Sequence, residues 1–442
     1  MSNWQKVKIG DFLFERKGRY KPNDEQISNL PRIEKIDFSG NFHIGNKDSK
    51  TDMILIKDGD LVISGINVAK GAMGIYTGED AIATIHYSSY TFDSNKINVE
   101  YFKRFLKSSE FIELLNKQVK GGIKTEIKPK HILPLEILLP DINSQAKIIQ
   151  HFENVEDDIA DVTQEVLTGQ SLLKQLKQTI LQEAIEGKLT EKYRDKNPDI
   201  GTAKELLEHI KTEKEKLVKD KKIKASKPLA PINEDEIPFD IPSSWEWCKL
   251  GEIIYENPRN GYSPKTVDYK TEIKTLKLGA ITQGYFDSTQ IKYLDIVIEK
   301  NSFLWLKKGD ILIQRSNSLE HVGMAGIYNL EDTNYIYPDL IMKCQVVQPV
   351  INYFIHKYLV SNFTREYFRN NASGAQQSMP KINQGTVINL LVPLPPTEEQ
   401  KEVVVTIEKL FAICDELENE INQNKTTVDN LMSTVLKEAF EK

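Results

Sequence analysis

The sequence contains two unequal copies of one pattern, and this repeat limits the possible folds more than any other feature. Trp4 to Asp11 recurs as Trp245 to Glu252, displaced by 241 residues. Farther along, the segment around Gly59 recurs around Gly309, displaced by 250 residues. A chain of 442 residues is long enough for two or three ordinary domains. The repeat therefore predicts two related domains, each with its own core.

The last part of each copy keeps a fixed register. Gln145 matches Gln400 and Glu183 matches Glu438, both displaced by 255 residues. In the first copy, apolar residues recur at heptad spacings: Ile148, Phe152, Val155, Ile159, Val162, Val166, Leu173, Leu176 and Ile180. The same displacement gives the second series: Val403, Ile407, Leu410, Cys414, Leu417, Ile421, Val428, Leu431 and Val435. This period predicts two long helices that pair as a coiled coil.

Each predicted helix has about 43 residues and a length of about 64 Å. Alone, such a helix would leave its apolar series in water, so the other helix is the expected partner. Prolines precede both helices, and Asn143 or Ser144 in the first copy and Thr397 in the second are candidate N-caps. The spacing by itself allows parallel as well as antiparallel packing.

The remaining segments predict mixed α+β domains. Strand, turn and strand are expected at 53–63 and again at 303–313, with helices following at 99–117 and 351–369. Between the copies, residues 203–224 predict a charged helix and residues 227–242 an extended, proline-rich stretch. The expected divisions are two mixed α/β domains (1–144 and 245–399), two long helices (145–187 and 400–442) and a linker with a charged helix (188–244).

Composition indicates a globular protein, because 40% of the residues are hydrophobic and 28% are charged. The net charge of -6 is unusual for a nucleic-acid binder, since phosphate affinity normally requires a basic surface. Residues 145–187 carry -5 and residues 400–442 carry -4, whereas 1–144 carry +2, 188–244 carry +1 and 245–399 carry 0. The acidity therefore belongs to the two predicted helices, where such charge more often solvates an exposed face than marks a binding surface.

No apolar run is long enough to span a bilayer, and the start, MSNWQKVKIG, lacks the apolar core of a signal peptide. The sequence therefore predicts a cytoplasmic protein with no membrane partner. Cys248, Cys344 and Cys414 follow no metal-ligand spacing, so we expect reduced core cysteines rather than disulfides or a zinc site.

Known catalytic motifs are missing from the sequence. It has no Walker A loop, no cofactor-binding glycine loop with the Asn/Asp-Pro-Pro-Tyr/Phe motif of adenine methyltransferases, and no grouping of Ser, His and Asp. Glu126-Ile127-Lys128 and Glu272-Ile273-Lys274 match half of a nuclease motif, a triplet that charged sequences produce freely. We expect a non-catalytic chain that binds no cofactor or metal.

Several features, in this order and in duplicate, resemble the specificity subunits of type I restriction-modification systems over essentially the whole chain. They are the Trp-x-x-x-Lys-Ile/Leu-Gly-Asp/Glu openings at Trp4 and Trp245, the Gly-Asp hairpins at Gly59 and Gly309, the loops 121–124 and 374–377, and the linker stretches 206–211 and 237–242. No single one of these features is specific, but their order and duplication are.

The resemblance implies an antiparallel coiled coil with a pseudo-two-fold repeat and two target-recognition domains. Each domain would read one half of an asymmetric bipartite site in double-stranded DNA through the major groove. Helices of about 64 Å would fix a spacer of one to two DNA turns. The implied partners are two methyltransferase (modification) subunits and restriction/translocase subunits, which would bind S-adenosylmethionine, ATP and Mg2+.

Candidate DNA-binding residues fall in equivalent loops of the two copies. They are Arg16, Lys17, Arg19 and Tyr20 after the first opening, and Arg259, Asn260 and Tyr262 after the second. The glycine loops add Lys120 and Lys124, and Gln376 and Gln377 with Lys381, while Arg315 and Asn317 follow a predicted strand. Arg and Asn suit guanine and adenine edges, and Lys suits phosphates. Solvated loops, plain turns, strand-end hydrogen bonds and packed tyrosines are the alternative explanations.

A second interpretation is a two-lobed coiled-coil adaptor protein with no DNA role. The near-neutral charge of both predicted domains fits it better than a strongly basic surface would. Sequence-selective binding to DNA, tested with and without a methyltransferase partner, distinguishes the two interpretations.

Overall fold

The structure, a computed structural model, describes residues 4–45, 50–66, 70–118, 127–331, 334–347, 351–374 and 379–440. Its helices are α1 (Val99–Phe105), α2 (Ser109–Gln118), α3 (Pro129–Ile132), α4 (Ile142–Ile185), α5 (Glu191–Lys196), α6 (Ala203–Lys219), α7 (Leu250–Ile253), α8 (Ile351–Leu359), α9 (Asn362–Asn370), α10 (Gln384–Ile388) and α11 (Thr397–Phe440). Two compact units divide the chain: unit 1 is Met1–Thr168 with Ile421–Lys442, and unit 2 is Gly169–Glu420.

Short strands build the sheets of both units. In unit 1 they are β1 (Gln5–Lys8), β2 (Leu13–Glu15), β3 (Arg32–Ile36), β4 (Phe42–Gly45), β5 (Met53–Ile56), β6 (Leu61–Ser64), β7 (Met73–Ile75), β8 (Ala81–Thr84), β9 (Tyr87–Phe92) and β10 (Glu136–Leu139). In unit 2 they are β11 (Glu246–Lys249), β12 (Arg259–Asn260), β13 (Ile273–Leu276), β14 (Ile291–Leu294), β15 (Ile311–Gln314), β16 (Ala325–Ile327), β17 (Tyr335–Ile336), β18 (Ile341–Cys344) and β19 (Leu391–Leu394).

Unit 1 contains two four-stranded sheets and one two-stranded sheet among its described residues. The strand orders are β2-β9-β6-β7, β4-β3-β8-β5 and β1-β10. The β6 strand is buried at every position because it lies inside its sheet, between β9 and β7. An aromatic core forms beneath, where the Phe12 and Phe102 rings meet edge to face with centroids 5.3 Å apart.

Unit 2 repeats this plan with one strand fewer in its described residues. Its sheets are β12-β18-β15-β16, β14-β13-β17 and β11-β19. The parallel pair β13 and β17 corresponds to β3 and β8 in unit 1. The strand predicted at 303–306 is wrong, since these residues form turns. Their backbone is used elsewhere: the Trp305 carbonyl accepts a hydrogen bond from Lys343 Nζ at 2.8 Å.

A serine interrupts each of the two predicted domain helices. The stretch predicted at 99–117 is α1 and α2, and the stretch predicted at 351–369 is α8 and α9. Ser108 Oγ accepts from the Phe111 amide at 3.2 Å, and Ser361 Oγ accepts from the Thr364 amide at 3.4 Å. A hydroxyl that caps a new helix start satisfies its free amides, so the chain can turn there at little cost.

Within each unit the two long helices run antiparallel. In unit 1, Phe440 at the end of α11 stacks on Phe152 near the start of α4, with ring centroids 5.9 Å apart. In unit 2, Lys177 near the end of α4 pairs with Asp415 and Glu418 in α11, each at 2.8 Å. The predicted α+β class and the antiparallel pairing are confirmed.

The first helical turns explain the repeated glutamine of the sequence. Gln145 Nε2 donates to the Pro140 carbonyl at 2.8 Å, and Gln400 Nε2 donates to the Pro395 carbonyl at 2.7 Å. Both glutamines are fully buried. The helix α4 begins at Ile142, and Asp141 rather than Asn143 or Ser144 receives the free amide of residue 144, at 3.0 Å.

Candidate nucleic-acid interface

Arg16 of unit 1 is bound to the core rather than left free. Its Nε and Nη2 atoms donate to the Asp60 carboxylate at 2.6 and 2.7 Å. Asp60 has only 1% of its surface exposed and also accepts from the Ser89 hydroxyl at 2.7 Å. The bonded carboxylate raises the pKa of Arg16. The role of this arginine in the structure is therefore to tie the end of β2 to the start of β6 across β9, which lies between them, directly before the candidate loop.

Beyond Arg16 the loop turns outward. Lys17 and Arg19 are exposed, and Tyr20 is half-buried. The Tyr20 backbone pairs with Met53, with its amide 3.0 Å from the Met53 carbonyl. Two exposed cations thus lie between two fixed points, the Arg16 ion pair and the Tyr20 bridge, and their positions suit contacts with phosphates.

Arg259 occupies the place of Arg16 in unit 2 but has different partners. The buried aspartate of this unit, Asp310, is 3.3 Å from Lys343 Nζ and accepts from Gln345 Nε2 at 2.5 Å. Burial lowers the pKa of Lys343. Because Lys343 neutralises the aspartate, Arg259 pairs with Glu256 at 2.7 Å instead. Its guanidinium lies 5.1 Å from the ring centroid of Phe303.

The chain after Arg259 passes very close to its neighbour. A Cβ on Gly261 would lie 1.9 Å from the Tyr337 carbonyl oxygen, so only glycine fits there. The Asn260 side chain sits at this tight crossing, and its Oδ1 is buried with no hydrogen-bond partner among the described residues. Tyr262 follows with 52% of its surface exposed, available for stacking against a ligand.

The hairpin of β15 and β16 carries Arg315 and Asn317. The buried Gln314 holds the tip, since its Oε1 accepts from Asn317 Nδ2 at 2.8 Å. Asn317 Oδ1 accepts from the next amide, Ser318, also at 2.8 Å. Both ends of the Asn317 amide are therefore used within the hairpin, which favours a loop-holding role for it in this structure.

A second loop meets this hairpin and brings two predicted residues together. The Ile382 amide donates to the Arg315 carbonyl at 2.9 Å, and the backbone of Lys381, next to it, pairs with Ser373. Arg315 is half-buried and Lys381 is exposed. In the part of the chain that the structure describes, no carboxylate lies within 4 Å of either cation. Lys120, Lys124, Gln376 and Gln377 lie outside the described residues.

Unit 1 contains the same junction with a different side chain. Its Ile127 amide donates to the Gly65 carbonyl at 2.7 Å, which reproduces the bond from Ile382 to Arg315. Gly65 therefore stands where Arg315 stands. The two units share one backbone frame at this surface and differ in the charge that it presents.

Arg365 binds the loop between β15 and β16 in unit 2, a role that the sequence did not indicate. Its side chain is 3% exposed, with Nη1 2.6 Å from the Val322 carbonyl and Nη2 2.7 Å from the Glu320 carbonyl. Burial lowers the pKa of Arg365 to about 10. The one available signal was its place on the apolar face of α9, three residues before the buried Phe368.

The described residues of the candidate interface offer hydrogen-bond donors and positive charges. They contain no group of three or more His, Cys, Asp or Glu side chains that could hold a metal ion. Burial raises the pKa of Cys344 to about 12 and that of Cys248 well above its usual value, which makes both poor nucleophiles. No helix within the described ranges is both long and apolar enough to cross a membrane. Guanidinium, ammonium and amide groups suit the binding of base edges and phosphates.

Comparison with known proteins gives consistent matches. The family described as type I restriction modification DNA specificity domain matches residues 242–424. The chain is 30% identical to the type I restriction enzyme EcoEI specificity subunit of Escherichia coli, over 63% of this chain and 47% of that subunit. It is 26% identical to the EcoAI specificity subunit of Escherichia coli, over 92% of this chain and 77% of that subunit.

Solved structures show the same fold. A chain from a study of complex assembly and conformational transition of the type I R-M system superposes with a TM-score of 0.65 at 15% identity, covering 99% of this chain and 97% of that one. The HsdS subunit from Thermoanaerobacter tengcongensis superposes with a TM-score of 0.56 at 15% identity, covering 99% and 96%. The match to the EcoEI subunit spans about half of that subunit's length.

Proposed function

Because the chain belongs to the specificity subunits of type I restriction-modification systems, we propose that it supplies DNA sequence recognition to a methyltransferase and endonuclease complex. Each unit reads one half of an asymmetric bipartite site in double-stranded DNA. The chain itself makes and breaks no bonds. Its target is DNA, so it acts in the cytoplasm.

One observation carries this proposal: the two units share a backbone frame and differ in side chains at equivalent surface points. The junction bond from Ile127 to Gly65 in unit 1 recurs from Ile382 to Arg315 in unit 2. A common frame gives both units one way to approach DNA. Different side chains on that frame are what two different half-sites require.

The roles of the candidate residues follow from their surroundings. Arg315 suits a guanine edge, because its fork-shaped guanidinium can form two parallel hydrogen bonds. Lys17, Arg19 and Lys381 suit phosphates, and Tyr20 and Tyr262 suit stacking. Arg16, Arg259 and Asn317 have protein partners in the structure, so DNA contact would require them to exchange those partners. Asn260, Lys120, Lys124, Gln376 and Gln377 remain predictions as DNA contacts.

The long helices provide a surface for two modification subunits. In unit 2, Leu172 and Leu176 on α4 are 58% and 44% exposed, and Ile413 and Leu417 on α11 are 55% and 42% exposed. Apolar side chains left uncovered on a helix pair favour packing against further helices. The docked partners would bind S-adenosylmethionine and methylate adenine at N6 after base flipping. Restriction/translocase subunits would supply ATP- and Mg2+-dependent translocation and cleavage.

Co-expression of this chain with its modification subunit tests the proposal. DNA from the host is sequenced for modified adenines. Methylation confined to one two-part sequence is the expected result. Random methylation, or none in a preparation where both subunits copurify, would overturn the proposed function.

A further inference from the structure

The linker between the two copies ends in a group of exposed lysines. We propose that this group, the linker lysine patch (Lys216, Lys219, Lys221, Lys222 and Lys224), binds DNA phosphates beside the half-site that unit 2 reads. From Lys216 to Lys224 the sequence has five lysines and one aspartate, a net charge of +4. The inference rests on the proposed DNA-reading function and extends the interface to a segment outside the recognition loops.

The patch has very little internal neutralisation. All five lysines are exposed. Of these five lysines, Lys222 is the one with a carboxylate of a described residue within 4 Å, that of Asp220 at 3.9 Å. At that distance and exposure the ion pair is weak. A dense positive surface with so little neutralisation repels itself, and a polyanion relieves this repulsion with release of its counterions.

The structure fastens the patch next to the candidate interface of unit 2. The Lys224 amide donates to Glu256 Oε1 at 3.1 Å, and Oε2 of the same carboxylate pairs with Arg259 Nη2 at 2.7 Å. The end of the patch and the start of the Arg259–Tyr262 segment therefore share one glutamate. Upstream, Lys214 Nζ donates to the carbonyls of Gly251 and Glu252, at 3.0 and 3.1 Å.

Lys214 contributes an anchor rather than a charge for a ligand. Burial lowers its pKa, and its donors are directed at the backbone of α7. This contact holds the C-terminal half of α6 along the chain that leads into β12. The exposed lysines that follow are thus carried on a fixed element and not on a free tail.

The backbone at Lys221 shows how the patch is held after the end of α6. Its φ of 60° lies in the left-handed region, and it is the one non-glycine residue with positive φ in the ranges that the structure describes. This position just after a helix usually holds glycine or asparagine. The Lys221 amide donates to the Val218 carbonyl at 3.0 Å and the Lys222 amide to the Leu217 carbonyl at 2.9 Å, so a helix C-cap fixes the backbone that carries the last lysines of the patch.

Lysine is suited to phosphates rather than bases. Its ammonium acts as a point charge without the fork geometry that reads a guanine edge. The patch should therefore add affinity equally for all sequences and leave the choice of bases unchanged. An acidic surface of a partner protein is the competing ligand, and the experiment separates the two.

The test uses the full chain in complex with its modification subunits and two duplexes, one with the mapped site and one scrambled. Affinity is measured at several salt concentrations for a variant with Lys216→Gln, Lys219→Gln and Lys222→Gln. Each lost phosphate contact lowers the slope of log affinity against log salt by about 0.9. We expect the slope to fall by about two to three for both duplexes, with the preference for the mapped site unchanged.

The matched control changes three exposed lysines elsewhere on the same linker: Lys192→Gln, Lys196→Gln and Lys204→Gln. Lys204 lies about 22 Å along α6 from Lys219, so this variant should keep the slope. Arginine at the three patch positions should also keep it. If the slope of log affinity against log salt is unchanged in the glutamine variant, the inference is overturned. If that variant also assembles poorly with the modification subunits, the patch binds a partner protein instead of DNA. If the unmodified complex binds both duplexes equally, the proposed function fails, independently of the slope.

Discussion

Two buried aspartates at equivalent positions have different cationic partners. Asp60 pairs with Arg16, whereas Asp310 pairs with Lys343. The strand register explains the difference: Val62 faces Ser89 in unit 1, and its counterpart Leu312 faces Lys343 in unit 2. Where the neighbouring strand supplies a lysine, the arginine after the opening motif is free to pair elsewhere. The sequence motif alone cannot distinguish these cases, because the deciding residue lies on another strand.

Removal of the charge on Asp60 tests its structural role. Loss of one partner of a buried pair typically costs about 3–5 kcal/mol. Because the Arg16 side chain is 26% exposed and water can solvate it, we expect Asp60→Asn to lower the free energy of unfolding of unit 1 by about 2–3 kcal/mol. Asp58→Asn, at the exposed turn between β5 and β6, should cost less than about 1 kcal/mol. Amide hydrogen exchange in β2, β6 and β9 measures the free energy of unfolding for both variants. Equal losses of this free energy would contradict a structural role for the pair of Asp60 with Arg16.

His356 predicts how the stability of unit 2 depends on pH. Burial lowers its pKa to about 4, from about 6.5 in an unfolded chain. Between these values the unfolded chain binds a proton that the folded protein does not, so stability falls as the pH drops from 6.5 towards 4. The expected loss is about 3 kcal/mol by pH 4. Urea unfolding at several pH values measures this loss, and the His356→Gln variant should not show it. If the free energy of unfolding falls equally with pH in the variant and the parent protein, the prediction is wrong.

At the level of elements, the heptad period correctly predicted both long helices but not which apolar residues are covered. Phe152, Val166, Leu173 and Ile180, spaced by multiples of seven, are buried in α4, whereas Val162 and Leu176 are exposed. A single partner helix covers one heptad position well and leaves the other for a further layer. The heptad period marks both positions alike, so the sequence does not separate the buried set from the exposed set.

Phe440 tests the antiparallel pairing of the helices in unit 1. Its ring contacts Tyr101, Phe105 and Phe152, with centroids 5.2 to 5.9 Å apart. Only an antiparallel arrangement brings the end of α11 to the start of α4. Phe440→Ala should therefore lower the free energy of unfolding of unit 1 by about 3–4 kcal/mol. Leu431→Ala, on the exposed side of the same helix, should cost no more than about 1 kcal/mol, and similar losses for both variants would exclude this packing.

Element boundaries depended on local chemistry that hydrophobic patterns do not register. Two helices were predicted as continuous, yet Ser108 and Ser361 cap new starts inside them. A serine within an amphipathic stretch is compatible with a continuous helix, so only the hydrogen bond reveals the break. Likewise, the apolar run at 303–306 has the composition of a strand but forms none. Its Phe303 ring lies against the Arg259 guanidinium, and its Trp305 carbonyl accepts a hydrogen bond from Lys343.

For the whole molecule, the net charge of -6 is compatible with DNA recognition because of where the charges lie. Residues 145–187 and 400–442, which make up most of the long helices, carry all of the negative excess. The repeat made the two-domain plan and the helix pair predictable from sequence. The individual roles of Arg16, Arg365 and Lys343 were not predictable, because each depends on carbonyls or carboxylates that only the folded chain brings near.

The central claim is that each unit reads its own half of one DNA site. Its most direct test maps methylated adenines in cells that express the modification subunit with either this chain or a chimera. In the chimera, residues 245–399 are replaced by the recognition domain of a different specificity subunit. We predict that the chimera keeps one half-site and the spacer length and changes the other half-site. A change in both halves, or the absence of site-selective methylation with the unaltered chain, would contradict the claim and favour a protein adaptor without a DNA role.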